Sequence, residues 1–446
     1  MALSGIQIYK LLPKTNCRDC GFPTCLAFAM KLAAKQADLA LCPHVSDESK
    51  AELSESAAPP IHLVSLASNG HEVKAGNEVV LFRHEKTFYN MPGLFIRVRD
   101  DEPADQIKEK IAAADAYKVN YVGMDLDIDG FAVQSTTGNA AAFGDAVAAV
   151  RSVSDRPLIL ISSDPAVMAK GLEAAGDGAM ICSADESNAD EMAALAKENK
   201  ASLAVAAGSL DELSSLTETI KGKGVEDLVL DTGGRDFSSM LTYSTQVRRL
   251  ALKKNYKPLG YPIIAFPGDA GDLAKESMLA AQAIAKYAGF IVLDHFSPEH
   301  IYPLLVLRQN IYTDPQKPIQ VQPGIYEINN PSPSDPFMVT TNFSITYFSV
   351  ANEVEGAGLP AWLLVADAEG MSVLTAWAAG KFDAERIAKD VKRFGVADKI
   401  DHKTIILPGH VAVLSGELEE ELPGWEVRVG PREAVDLPAY MKQVLA

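Results

Sequence analysis

Residues 203–231 read LAVAAGSLDELSSLTETIKGKGVEDLVLD, and two patterns alternate in them. An apolar run at 203–207 gives way to apolar residues at helical spacing across 209–220, and a second run follows at 228–231. A short continuous apolar run suits a strand buried on both faces, and a period of about 3.6 suits a helix laid over it. The stretch is one strand–helix–strand unit. Working outward, comparable runs stand at 94–98 (LFIRV), 121–126 (YVGMDL), 158–162 (LILIS), 179–182 (AMIC), 263–266 (IIAF) and 290–294 (FIVLD), with helical spacing again at 105–114 and 274–287. With the two quoted runs these make eight, which predicts a (β/α)8 TIM-type barrel over 59–313 in preference to an open doubly wound sheet.

Either side of the barrel the texture changes, so an α/β multi-domain chain is expected. Upstream, IHLVSL (61–66) and EVVLFRH (78–84) are β-rich, and ESKAELSESAAPP (48–60) reads as a linker leaving an N-terminal domain of residues 1–58. Downstream, 314–336 carries six prolines and reads as a semi-rigid linker. Beyond it, runs at 337–341, 362–367, 404–409 and 426–430 alternate with helical stretches at 344–355, 374–379, 383–394 and 433–445. Four parallel strands with helices between them make a small Rossmann-like domain of residues 337–446.

Four of the five cysteines lie in the first 42 residues, as Cys17-x2-Cys20-x4-Cys25-x16-Cys42. Ligands that close together can wrap one corner of a cluster, Gly21 lets the backbone approach inorganic sulfide, and Pro23 fixes a turn before the third thiolate. The helix starting after Cys25 would shield the group, and burial with hydrogen bonds to sulfur tunes such a cluster. The pattern points to a 4Fe-4S cluster. A structural zinc site is the rival, although its usual form has two CxxC knuckles, and disulfides or unliganded thiols remain a further reading. Cys182, in the apolar run 179–182, reads as a small buried hydrophobe.

In open parallel α/β sheets, ligands bind beyond the carboxyl ends of the strands. In 337–446 that rim comprises Thr340-Thr341-Asn342 on to Thr346, Glu369 to Thr375, Pro408-Gly409-His410, and Gly430 to Ala434. It is rich in hydroxyls, small residues and backbone donors, as a large polar macrocycle with amide side chains would require. It has neither G-x-G-x-x-G nor GxxxxGK[ST], so dinucleotide binding and nucleotide hydrolysis are not expected. Taken singly, each glycine or serine there could equally be a helix cap or turn residue.

The 446 residues carry a net charge of −18, which disfavours nucleic acid and anionic lipid as partners. No leader and no run of about 20 apolar residues stands out, so a cytoplasmic protein is expected.

The motif GIQIYKLLPKTNCRDCGFPTCLAFAMKLA with its later LCP, and the stretch TTNFSITYFSVANEVEGAGLPAWLLVADAEGMSVLTAWAAGKF, resemble the cluster and cobamide-binding domains of the large (gamma) subunits of corrinoid iron–sulfur proteins of the acetyl-CoA (Wood–Ljungdahl) pathway. The resemblance runs essentially end to end. It implies a heterodimer with a smaller barrel subunit and a base-off corrinoid held between that subunit and this chain's C-terminal domain. The family takes a methyl group from methyltetrahydrofolate, through its methyltransferase, as methyl-Co(III) and delivers it to acetyl-CoA synthase. The 4Fe-4S cluster, with a reductive activator, serves the return of Co(II) to Co(I). By this resemblance Cys17, Cys20, Cys25 and Cys42 hold the cluster, while Thr340, Thr346, Gly370, Met371, Ser372, Val373 and Glu433 contact the cobamide. No residue of the chain is expected to act as acid or base. No D-x-H-x-x-G motif is present, and His410, the one histidine on the rim, is read as a turn or surface residue and not a cobalt ligand. Two other readings stand beside this one. The first is a pterin-dependent methyltransferase using Asp125, Asp127, Asp231 and Asp294 at barrel strand ends, and the second is a cobalt-free electron-transfer subunit.

Overall fold

The computed structural model describes residues 5–34, 36–46, 48–50, 53, 59–314 and 319–444. It divides into two units, Met1–Tyr117 with Asp127–Tyr312, and Lys118–Leu126 with Thr313–Ala446. Most of the expected linker at 48–60 lies outside the described residues.

In the first unit, β1 (Val64–Ser68) and β2 (His71–Ala75) form an antiparallel hairpin. Its Val64, Leu66, Val73 and Ala75 pack with Phe95, Met180 and Phe290 of the barrel interior, so the hairpin stoppers the barrel. The expected strand at 78–84 is a loop instead. There the Glu78 carboxylate accepts the backbone N–H groups of Tyr89 and Asn90 and pairs with Arg248, which competes with strand pairing.

The first barrel strand is β3 (Gly93–Arg99). After it the chain leaves for a hairpin of β4 (Val119–Tyr121) and β5 (Met124–Leu126), which belongs to the second unit, and returns as β6 (Gly130–Gln134). The run at 121–126 is therefore not the second barrel strand, and 130–134 takes its place. The reason is the pair Val122 and Gly123, at φ 48° and 82°, which turns the chain back after two residues. Gly123→Ala should destabilise the second unit by about 1–2 kcal/mol in a urea melt, because a methyl group there meets both an unfavourable φ and the Tyr326 hydroxyl.

The remaining barrel strands are β7 (Leu158–Ile161), β8 (Met180–Ala184), β9 (Ser202–Ala206), β10 (Leu228–Asp231), β11 (Ile263–Ala265) and β12 (Ala288–Leu293). All eight pair in parallel and close into a barrel, β12 returning to β3. Inside, Phe95, Ile159, Cys182, Val229 and Val292 fill the bore, so it is a packed core and not a channel. Burial pushes the Cys182 thiol well above its ordinary range, as suits an inert core residue.

The second unit is a five-stranded sheet of β13 (Gly324–Ile328), β14 (Phe337–Thr341), β15 (Ala361–Ala366), β16 (Thr404–Leu407) and β17 (Glu426–Val429), in the spatial order 13-15-14-16-17. Here the structure corrects the linker at 314–336: residues 324–328 form an antiparallel edge strand against β15, making the sheet five-stranded where four were expected. Helices Ser344–Gly356 and Leu437–Val444 cover one face together with the β4–β5 hairpin. Helices Val373–Ala378, Ala384–Arg393 and Ser415–Glu421 cover the other. The last helix starts later than the expected 433, after a 3-10 turn at Ala434–Asp436. From β14 the chain first steps outward to β15 and then back across to β16, so the strand order reverses between β14 and β16. Such a switch point leaves a crevice at the strand ends.

Candidate functional site

The cysteine loop is shaped by its own backbone. Asn16, Arg18 and Gly21 all take positive φ, at 51°, 71° and 80°, which curls residues 16–21 tightly. Thr24 then caps helix Cys25–Ala33 by accepting the Ala27 N–H. Asn16 ties the loop to this helix twice: its side-chain oxygen accepts the Cys25 N–H at 2.8 Å, and its own N–H points to Cys25 Sγ at 3.4 Å. Cys25 and Cys42 are buried, Cys20 is half-buried and Cys17 is exposed. Ile8, Leu12, Phe28, Ala29 and Val45 pack around the buried pair. A thiol set in an apolar jacket, with an N–H donated to sulfur, fits an iron–sulfur cluster. At the rim Asp19 accepts from His44 at 2.6 Å, and the ligand atoms of Cys17, Asp19 and His44 lie within 4.8 Å of one another. The hydrogen bond from His44, then that from Cys17, holds the Asp19 carboxyl below its usual range.

At the β14–β16 switch point lies a cleft of about 290 Å³. Met338, Val339, Ile406 and Leu407 form its apolar floor, and Thr346, Ser349 and Ser372 bring hydroxyls to its walls. Thr340 is buried there, and its Oγ1 has no hydrogen-bond partner among the described residues. A buried orphan hydroxyl costs about 1–3 kcal/mol, so its place on a cleft wall marks a position where a ligand's polar group would restore the bond. Of the expected contacts, Thr340, Thr346, Ser372, Val373 and Glu433 line this cleft. Gly370 and Met371 do not line it. The Gly370 N–H is taken by Asn342 Oδ1 at 2.9 Å, and Met371 packs against the core on one face of the sheet. Ser349 and Val350 were not anticipated. They share one side of helix Ser344–Gly356 with Thr346 at three- and four-residue spacing, which only the helix orientation reveals. His410 lines the cleft too, its Nε2 3.7 Å from Glu433 Oε1.

The barrel mouth is closed by charge pairing. Arg97, 2% exposed, reaches Asp269 at 2.7 Å and Asp294 at 2.5 Å, and Arg99 takes the other oxygen of Asp294. Arg235 clamps Asp231 through both terminal nitrogens, reaches Asp269 at 3.0 Å and stacks on Phe266. Asp127 is held by Arg156, apart from the Asp231 and Asp294 ion pairs, and Asp125 sits exposed on the β4–β5 hairpin of the second unit. Deeper in, burial pushes the Glu276 carboxyl up, but the His300 imidazole 3.6 Å away, a hydrogen bond from His295 and two backbone N–H groups outweigh it and bring it down to about 2. A lowered folded pKa means this stabilisation is complete above the ordinary value of 4.5 and is lost as pH falls from there towards 2. Glu276→Gln should therefore flatten the acid limb of the unfolding free energy over that window, measured by urea titration at stepped pH.

With ion pairs across the barrel strand ends and an open cleft on the second unit, the molecule is of the class that carries a cysteine-rich module, a barrel and an α/β domain with a switch-point cleft on one chain. The family model for the CO dehydrogenase/acetyl-CoA synthase delta subunit matches residues 63–441, and an Fe-S cluster model matches residues 12–44. The corrinoid/iron-sulfur protein large subunit of Moorella thermoacetica is 44% identical over 100% of both chains. The acetyl-CoA decarbonylase/synthase complex subunit gamma of Methanopyrus kandleri is 34% identical over 99% of this chain and 98% of its own, and that of Archaeoglobus fulgidus is 35% identical with the same coverage. The delta-subunit model leaves out the cysteine box, whereas these relatives span it. The chain belongs to the family of corrinoid/iron-sulfur protein large subunits and complex gamma subunits.

Proposed function

We propose that this chain is the large subunit of a cytoplasmic methyl carrier, in which the C-terminal unit binds a base-off cobamide and the N-terminal cysteines hold a 4Fe-4S cluster. The observation that carries the reading is the orphaned Thr340 hydroxyl in the switch-point cleft, on a chain whose Moorella thermoacetica relative is named for a corrinoid. When bound, the cobamide would supply a strongly nucleophilic low-valent cobalt that accepts the methyl group from methyltetrahydrofolate, through a methyltransferase, for delivery to acetyl-CoA synthase.

The chain's own residues bind and orient. Thr340, Thr346, Ser349 and Ser372 offer hydroxyls to amide side chains, and the Met338–Ile406 floor excludes water. A cleft of about 290 Å³ admits only part of a macrocycle, so the rest must be covered by another surface, for which a small barrel subunit is the natural candidate. No carboxylate or imidazole is needed as acid or base, and His410 is left as a partner of Glu433. Cys17, Cys20, Cys25 and Cys42 would hold the cluster, the buried Cys25 and Cys42 from the apolar side and the exposed Cys17 from the solvent side, and the cluster would supply electrons for reductive reactivation, assisted by an activator protein.

The test is anaerobic purification with the small subunit, followed by metal and sulfide analysis and absorbance spectroscopy. Iron, sulfide and cobalt together are expected. Zinc in place of iron, or iron without cobalt, would overturn the proposal.

A further inference from the structure

Asn16 and Cys25 are bonded to each other twice, and the second bond ends on sulfur. Resting on the reading that Cys17, Cys20, Cys25 and Cys42 hold a 4Fe-4S cluster, we propose that Asn16 is a positioning residue that raises the cluster's reduction potential by keeping its backbone N–H on the Cys25 sulfur. The side chain is the clamp. Cys25 opens helix Cys25–Ala33, so its N–H has no acceptor within the helix, and Asn16 Oδ1 takes it at 2.8 Å. That bond fixes the Asn16 backbone beside the start of the helix, where its own N–H reaches Cys25 Sγ at 3.4 Å. The turn that brings it there uses a φ of 51°, and asparagine is one of the few residues with a side chain that enters this left-handed region readily.

An added electron increases the negative charge on a cluster's sulfur ligands, so an N–H donated to one of them stabilises the reduced state more than the oxidised one. Cys25 is 6% exposed among Ile8, Leu12, Phe28 and Val45, and in such surroundings water competes little for its sulfur. At the exposed Cys17 water can donate to sulfur instead, so a fixed protein donor has its larger effect at Cys25. A role confined to folding would need only the side-chain bond. The direction of the backbone N–H is what links Asn16 to the redox state.

Asn16 is the one asparagine in residues 1–58, which makes it addressable by isotope labelling. The complex with its small subunit is prepared anaerobically with 15N-asparagine, reduced photochemically and read by pulsed EPR of the cluster. A weak 15N coupling is expected in the unmutated complex. It should vanish in Asn16→Gly, which tolerates the same φ but loses both the Oδ1 clamp and the label. In an EPR-monitored redox titration, Asn16→Gly should be about tenfold harder to reduce, a midpoint lower by about 59 mV for one electron. An unmutated complex with full iron and no 15N coupling would overturn the proposal, and so would an unchanged midpoint in Asn16→Gly. Loss of iron from that variant would also overturn it, since Asn16 would then serve the loading of the cluster and not its potential. Absence of iron and sulfide from the unmutated complex would sink the cluster reading itself.

Discussion

Cys42→Ser should strip the proposed cluster's iron from the N-terminal module and leave the barrel intact. Cys42 is buried, follows the 3-10 turn Leu39–Leu41, and packs with Cys25, Phe28 and Val45. A serine hydroxyl there would have to ionise in an apolar jacket to serve as a ligand, which burial strongly disfavours. Iron per chain should fall to near zero, and the broad visible absorbance with it. Because a preformed ligand set is part of the fold, the module should also lose most of its protection from proteolysis. Cys17→Ser should be milder, since Cys17 is exposed and water can enter to replace its thiolate. Iron analysis on both variants, with thermal melting of the barrel as the control, checks the order. Equal iron retention in both would mean that burial does not rank these ligands.

The contrast between legible and hidden features follows from the range of the interactions. Seven of the eight apolar runs are barrel strands because fully buried parallel strands need continuous apolar sequence. The run at 121–126 misleads because a hairpin packed on Val321, Met338 and Val354 is as apolar as a barrel strand, and only the two-residue turn at Val122–Gly123 betrays it. β6 was missed because it opens on Gly130, where no side chain fits beside the Phe95 ring. β13 hides in a proline-rich stretch because it is a half-buried edge strand, specified by its pairing to β15 more than by its own pattern. The cysteine box was readable because its spacing is local. The role of Asn16 was not, since it depends on a left-handed backbone and a side chain reaching nine residues along. Thr340 and Ser372 were accessible through the strand-end rule. The fate of Gly370 turned on Asn342, whose side-chain oxygen accepts both the Ala368 and Gly370 N–H groups and folds that loop away from the cleft.

Thr340→Val separates stability from binding, and its two effects carry opposite signs. The hydroxyl is buried without a partner among the described residues, so replacing it by an isosteric methyl should raise the stability of the ligand-free second unit by about 1–2 kcal/mol. The same change removes the group that would satisfy a cobamide amide, and affinity should fall by about ten- to a hundredfold. Thr341 provides the internal control: its Oγ1 is also buried without a partner among the described residues, but it does not line the cleft. Thr341→Val should give the same gain in stability and leave affinity unchanged. Thr340→Ser, which keeps the hydroxyl, should bind nearly as the unmutated chain does. Urea unfolding without ligand and cobamide titration of the complex with its small subunit supply the two axes. A Thr340→Val chain that is less stable, or that binds as tightly as before, would show that this hydroxyl is held by a partner of its own and that the cleft is built for something else.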